Sequence, residues 1–474
     1  MIVLLILIPV IAGLLSFLIK NDRAAKNFSL NASVITFLVT LYVIATPGTV
    51  SFDAQWLPQL NSNFSLSMDG MAKMLCLLNA LALPLIFSSS LGNKYSKPGN
   101  FYALMLLTQA GMMGVFLSAD VLLFYFFWEL ALIPAYFVCS EYGGARKIQA
   151  TYKFFVYTFI GSLLMLIGLL YLYFINPEHS FAISSFYKIH LSATQQNIGF
   201  WLFFLAFAIK MPLFPLHTWQ PDAYEQAPTP ATMILSGVMV KMGVYATIRY
   251  VLPMFPQAVL HFNHIIIILA IIGILYASLV AIKQDDLKRL IAYSSIAHMC
   301  LMVAAIFTLQ EVGLQGVMIQ MLNHGIVVIG LWIVANAIEQ QTGTRKFSEL
   351  GGLAQRAPLL ATMFLIMALA NVSLPLTNSF IGEFLMFNGL FRYNIWAAVF
   401  ACISIILVAI YTLGAMQKIF YGEVSSFTKD AKEAPMYVNY TLIFMALIII
   451  FLGVYPQPIL HLTQDTVQAV LHLK

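Results

Sequence analysis

Residues 265–282 read IIIILAIIGILYASLVAI, a run without one charged side chain. As an α-helix it would be about 27 Å long at 1.5 Å per residue, close to the ~30 Å hydrocarbon core of a bilayer. Comparable runs recur along almost the whole chain. Of its 474 residues, 61% are hydrophobic and only 9% charged, and the mean hydropathy is +0.87. A water-soluble domain cannot cover itself with so little polar surface. Barrel strands would alternate in short segments, whereas these runs are long and continuous. Lipid offers no partners for free backbone groups. The expectation is therefore an all-α membrane bundle.

About fourteen transmembrane helices are predicted, at 2–19, 28–46, 70–91, 101–118, 120–140, 152–175, 198–221, 227–252, 262–282, 288–308, 312–338, 357–390, 394–417 and 435–455. The first lacks a basic leader and a small-residue cleavage site, so it reads as a retained helix. The tail 456–474 is short and weakly amphipathic. Residues 1–474 read as a single polytopic membrane domain with no separate soluble part.

The formal charge of +5 marks topology and not nucleic-acid binding. Most of the 24 basic residues fall in alternate loops, from Lys20, Arg23 and Lys26 through Arg146, Lys147 and Lys153 to Lys418, Lys429 and Lys432. Lys73, Lys188, Arg249, Arg392 and Lys474 lie on the opposite side. The positive-inside rule then places both termini away from the cytoplasm. The inner loop 222–226 departs from the pattern, with Asp222 and Glu225. Cys76, Cys139, Cys300 and Cys402 are scattered in apolar runs. Their spacing argues against disulfides, zinc and iron–sulfur clusters in this chain.

Two spans are irregular. The seventh contains Lys210-Met211-Pro212-Leu213-Phe214-Pro215, and the twelfth contains Ser373-Leu374-Pro375-Leu376-Thr377-Asn378. Proline removes a backbone donor and crowds the preceding turn, so the helix breaks or kinks there. Breaks five spans apart fit two inverted five-helix repeats, about 101–252 and 262–417, each with one broken helix. Transporters place ion sites at such paired breaks. The plain alternative is a pair of harmless proline kinks.

An ionisable side chain at membrane depth is costly and therefore a functional candidate. Six stand out: Glu129, Lys210, Lys241, His298, His324 and Glu383. Burial disfavours the charged form of a carboxyl or an amine, which suits groups that take up and release protons. A static Glu–Lys ion pair is the alternative, and it leaves the second lysine unexplained. The histidines suit proton relay through their near-neutral titration. His217 and Asp222 close the seventh span, where gating of entry and simple capping fit equally well. Tyr125 and Trp128 read as packing or interface anchors. No phosphate loop, dinucleotide fingerprint, nucleophile or haem motif appears, so energy has to arrive from partner subunits or an ion gradient.

At these residues the chain resembles a known family. Phe127-Trp128-Glu129-Leu130, Phe207-Ala208-Ile209-Lys210-Met211-Pro212 with Pro215-Leu216-His217-Thr218-Trp219, and Ala292-Tyr293-Ser294-Ser295-Ile296-Ala297-His298-Met299 resemble the antiporter-like subunits of respiratory complex I over nearly the full length. Glu383 on the second break resembles the M type, whose L and N sisters usually carry lysine there. The resemblance implies that Glu129 and Lys210 form the charge pair of a first half-channel, that Lys241 is a central relay, that His298 and His324 continue the path and that Glu383 ends it.

It also implies proton pumping in the bacterial cytoplasmic (inner) membrane beside L and N subunits, with membrane lipid around it. No cofactor is then expected in this chain: flavin, iron–sulfur clusters and quinone would belong to partner subunits. Three positions depart from the family pattern: Tyr224 replaces a frequent histidine, Cys300 a glycine, and Leu376 the glycine of the second break. A subunit of a multisubunit sodium/proton antiporter is the alternative reading.

Overall fold

The computed structural model describes residues 1–472; Lys474 lies outside them. In chain order the main elements are α1 (Leu4–Ser16), α2 (Asp22–Ala45), β1 (Val50–Leu57), β2 (Ser62–Met68), α3 (Gly70–Ser89), α4 (Pro98–Leu117), α5 (Val121–Tyr142), α6 (Lys147–Ile175), α7 (Ala193–Lys210) and α8 (Trp219–Gln226). They continue as α9 (Thr229–Met254), α10 (Pro256–Ile282), α11 (Leu287–Phe307), α12 (Glu311–Thr342), α13 (Pro358–Asn371), α14 (Asn378–Tyr393), α15 (Ile395–Phe420), α16 (Met436–Val454) and α17 (Gln457–His472).

Eleven helices among the described residues are long and apolar enough to cross a membrane, and α1 and α13 are shorter apolar helices. Their ends are set locally. Asp69, Asp120, Asp286 and Asn394 accept amide hydrogens of the first turns of α3, α5, α11 and α15, satisfying donors that the helix itself leaves unpaired. Pro98, Pro256 and Pro358 open α4, α10 and α13, where a missing amide hydrogen costs nothing.

The expectation of an entirely helical chain is corrected by a hairpin. β1 and β2 pair antiparallel, from Val50 opposite Met68 to Leu57 opposite Ser62. In β2, Ser62, Phe64, Leu66 and Met68 alternate with Asn63, Ser65 and Ser67, the period of a half-buried strand. The alternation is too short to register against runs of 18 or more apolar residues. Asp120 fastens the hairpin, accepting from Ser62 Oγ at 3.0 Å and from the Asn63 amide at 3.1 Å. The tail is likewise a helix: α17 packs so closely on α3 that a Cβ on Gly70 would collide with the Leu462 carbonyl.

The helices sort by depth in the bundle. The apolar windows of α9 and α12 are wholly buried and that of α11 is 94% buried, while only a third of those in α2 and α15 is. The helix α10 likewise presents Ile265, Ile268, Ile272 and Leu279 outward, an apolar surface of the kind that faces lipid. The three innermost helices are the ones that carry Lys241, His298 and His324.

Both spans expected to break are interrupted, whereas Pro84 and Pro134 sit inside continuous helices α3 and α5. α7 stops at Lys210 and the chain resumes as α8 at Trp219; α13 stops at Asn371 and resumes as α14 at Asn378. Ser373 and Leu376 in the second break have φ of 60° and 76°, a left-handed region that side chains resist. Gly453 of α16 admits this backbone: a Cβ there would collide with the Leu376 carbonyl.

Candidate proton-relay site

Lys241 is the centre of the site. It sits twelve residues into α9, roughly 18 Å from its start, and is fully buried. Residues 235–239 form a π turn just before it. Its Nζ donates to the Ser236 carbonyl at 2.7 Å and lies 2.8 Å from His324 Nδ1 on α12. The His324 ring is 5.4 Å, centroid to centroid, from that of His298 on α11. His298 Nδ1 in turn lies 3.0 Å from Glu383 Oε1 on α14, a close approach without hydrogen-bond alignment. Four of the six predicted residues thus form one sequence of contacts, ending beside the second break.

The second break is held in place around this chain. Asn323 Nδ2 donates to the Asn378 carbonyl at 2.6 Å, and Asn378 Nδ2 returns a bond to the Asn323 carbonyl at 3.4 Å. This joins the turn before His324 to the first residue of α14. On the other side, Asn371 at the end of α13 bonds Thr412 Oγ1 at 3.1 Å and Ser294 Oγ at 3.3 Å, and Tyr411 donates to Ser294 at 2.9 Å. Ser294 lies one turn before His298. Asn371, Tyr411 and Thr412 escaped sequence reading because singly they are ordinary polar residues in apolar runs.

Glu129 and Lys210 are not in contact: no nitrogen–oxygen approach within 4.0 Å joins them. The Ser162 hydroxyl donates to Glu129 Oε1 instead. Lys210 Nζ makes no hydrogen bond among the described residues and lies 5.5 Å from the centre of the Trp128 ring. Trp128 is therefore no interface anchor. It is buried, and its ring face attracts the ammonium. Gly243 lets α9 approach the end of α7, since a Cβ there would lie 2.8 Å from the Phe207 carbonyl.

The structure separates His217 from Asp222. His217 is buried in the first break, its ring 5.7 Å from Phe214 and 5.2 Å from Tyr276. Asp222 belongs to an ionic network at the end of the bundle bearing most basic loops, paired with Lys153 at 2.7 Å and Arg289 at 3.3 Å. Glu225 is the hub of that network, meeting Arg289 at 2.7 Å, Arg146 at 3.0 Å and Arg345 at 3.3 Å. Burial alone would raise its proton affinity, but the hydrogen bond and charge of Arg289, with Arg146 and Arg345, hold the carboxyl below the usual carboxylate range. The network ties α8, which follows the first break, to the start of α11 and the end of α12.

Fold and site together define a multi-pass membrane protein whose interior holds a line of titratable side chains in contact. The sequence model of the NADH:quinone oxidoreductase/Mrp antiporter transmembrane family matches residues 118–409, and the chain belongs to this family. It is 36% identical over 463 residues to NADH-quinone oxidoreductase subunit M of Rickettsia prowazekii, covering 95% of this chain and 94% of that one. Its structure matches a chain of respiratory complex I from Thermus thermophilus with bound NADH, at a TM-score of 0.94 and 31% identity over 100% of this chain and 99% of that one. A chain of the Mrp complex from Dietzia sp. DQ12-45-1b shares the fold, at a TM-score of 0.89, 19% identity and 99% coverage of each.

Proposed function

We propose that this chain is the M-type, proton-translocating subunit of an NADH:quinone oxidoreductase, carrying no redox chemistry itself. The run of contacts from Lys241 through His324 and His298 to Glu383 supports this reading most strongly. Each member can bind and release a proton, and each imidazole can receive one on one ring nitrogen and release one from the other. A sodium ion would need a shell of oxygens, whereas Lys241 and His324 meet nitrogen to nitrogen; this favours protons over the sodium/proton alternative.

The chain would lie in the bacterial cytoplasmic membrane as fourteen spans with both termini outside, built from inverted repeats at about 101–252 and 262–417. The L and N subunits would be its neighbours, and flavin, iron–sulfur clusters and quinone would lie in other subunits. Glu129 and Lys210 would form the switch. Two unit charges 4 Å apart attract by about 4 kcal/mol at an effective dielectric of 20, roughly a thousandfold in protonation equilibrium. Closing the observed gap holds the proton on Lys210; opening it lets the proton leave and changes the field at Lys241. Glu129→Gln in the assembled complex tests this. Quinone-coupled pumping should fall sharply, and unchanged pumping would refute the switch.

A further inference from the structure

Lys241 and His324 stand on different helices, so the 2.8 Å between them is set by how α9 and α12 seat against each other. The π turn at 235–239 fits an extra residue into one turn of α9 and swells the helix there. Gly237 is the middle residue of that turn. It follows Ser236, whose carbonyl accepts from Lys241 Nζ at 2.7 Å. Gly325 faces it from α12 and directly follows His324 in the chain. The point where the two backbones come closest is thus built next to the lysine–histidine contact.

The two glycines differ in what a side chain would meet. A Cβ on Gly325 would lie 2.8 Å from the Gly237 carbonyl oxygen and 2.7 Å from both methyl carbons of Leu78 on α3. A Cβ on Gly237 would lie 2.7 Å from Cγ1 and Cδ1 of Ile329, one turn further along α12, and 3.6 Å from the Gly325 carbonyl oxygen. At 237 the obstacle is a side chain, which can turn aside. At 325 it is main chain as well, which cannot. Carbon–oxygen contacts settle at about 3.3–3.6 Å, so a methyl on Gly325 would drive α9 and α12 apart by about half an ångström or more. Hydrogen bonds weaken beyond about 3.2 Å, so the contact between Lys241 and His324 has little slack for such a shift. Leu78 is itself buried and closes the crossing from the side of α3.

We propose that Gly325, seated against the Gly237 carbonyl, is a positioning residue for proton transfer: its missing side chain lets α9 and α12 close until Lys241 can hand a proton to His324. It acts through the distance between those two groups and touches neither proton itself. This rests on the proton-pumping reading above.

The test is Gly325→Ala in the assembled complex. Pumping coupled to quinone reduction should slow about tenfold, part of the roughly hundredfold that a 1 Å misplacement can cost. Its pH profile should shift as well, because a titrating pair has been pulled apart; a packing defect alone lowers the profile without moving it. His298 on α11 faces the same pair and Glu383 lies beyond it on α14, and neither is among the atoms nearest the new methyl. Leu78→Ala added to Gly325→Ala should not restore the rate, because the Gly237 carbonyl still obstructs. Gly237→Ala should slow pumping a few-fold and recover when Ile329→Ala removes the two atoms in its way. Unchanged pumping in Gly325→Ala would overturn the proposal. So would a lowered but unshifted pH profile, or recovery with Leu78→Ala, since either marks a plain packing role. Where Gly325→Ala does not assemble, the Gly237→Ala pair decides, and normal pumping in Gly237→Ala overturns the proposal. Lys241→Ala in parallel separates the two claims. Normal pumping there refutes the relay itself, whereas loss there beside normal Gly325→Ala refutes only the positioning.

Discussion

Lys241 Nζ and His324 Nδ1 lie 2.8 Å apart, on two helices whose apolar windows are wholly buried in the bundle. An amine that close to an imidazole nitrogen, away from lipid and solvent, can share a proton with it. Lys241→Arg keeps the charge but replaces a releasable proton with a guanidinium that stays protonated. Expression of the assembled complex should be normal and its proton-to-electron ratio in proteoliposomes should fall. A normal ratio would remove Lys241 from the path.

Trp128 holds the ammonium of Lys210 in place of a carboxylate. Trp128→Leu removes about 0.5–2 kcal/mol of attraction. Pumping should weaken by several-fold, and Trp128→Phe, with a poorer ring face, should fall between. Equal rates in all three proteins would show that the ring serves packing alone.

Asp120 caps α5 and anchors the hairpin through the same carboxylate. Asp120→Ala should cost about 1–2 kcal/mol as a lost cap, more with the hairpin released. A lower Tm in detergent and faster proteolysis between residues 50 and 68 are expected.

Gly453→Ala places a methyl against the backbone of the second break. Destabilisation of about 1–3 kcal/mol is expected. Leu376→Gly works in the opposite direction, relieving a positive φ worth about 1–2 kcal/mol, offset in part by the greater freedom of glycine when unfolded. Thermal melts of the two variants should shift to opposite sides of the parent.

Glu225 gives a pH dependence. Its native proton affinity is held down by Arg289, Arg146 and Arg345 against the opposing effect of burial. A carboxyl depressed in the native state stabilises it above the unfolded value of about 4.3 and loses that contribution as pH falls through the native value. Glu225→Gln should therefore lower Tm at pH 7, and the gap to the parent should close as the pH drops below about 4. A gap independent of pH would show that the ion pairs contribute nothing.

The sequence by itself determined the membrane class, because an apolar run as long as 265–282 has no other stable environment. It also located both breaks, since proline removes a backbone donor and crowds the preceding turn, and it marked six ionisable residues by their cost, five of which are buried. The hairpin escaped because its alternation is short and lies between long helices.

Contacts were decided only in three dimensions. Residues from 241 to 383 on four helices meet at one line of contacts, whereas Glu129 and Lys210, which read as partners, stand apart with Ser162 and Trp128 between their roles. The π turn before Lys241 spans Gly237, and a single glycine inside an apolar helix does not announce an inserted residue. Composition and local rules fix what a segment must be, because backbone and solvent act on each residue alone. Which side chains touch depends on how helices seat against one another, and that is settled by the whole bundle.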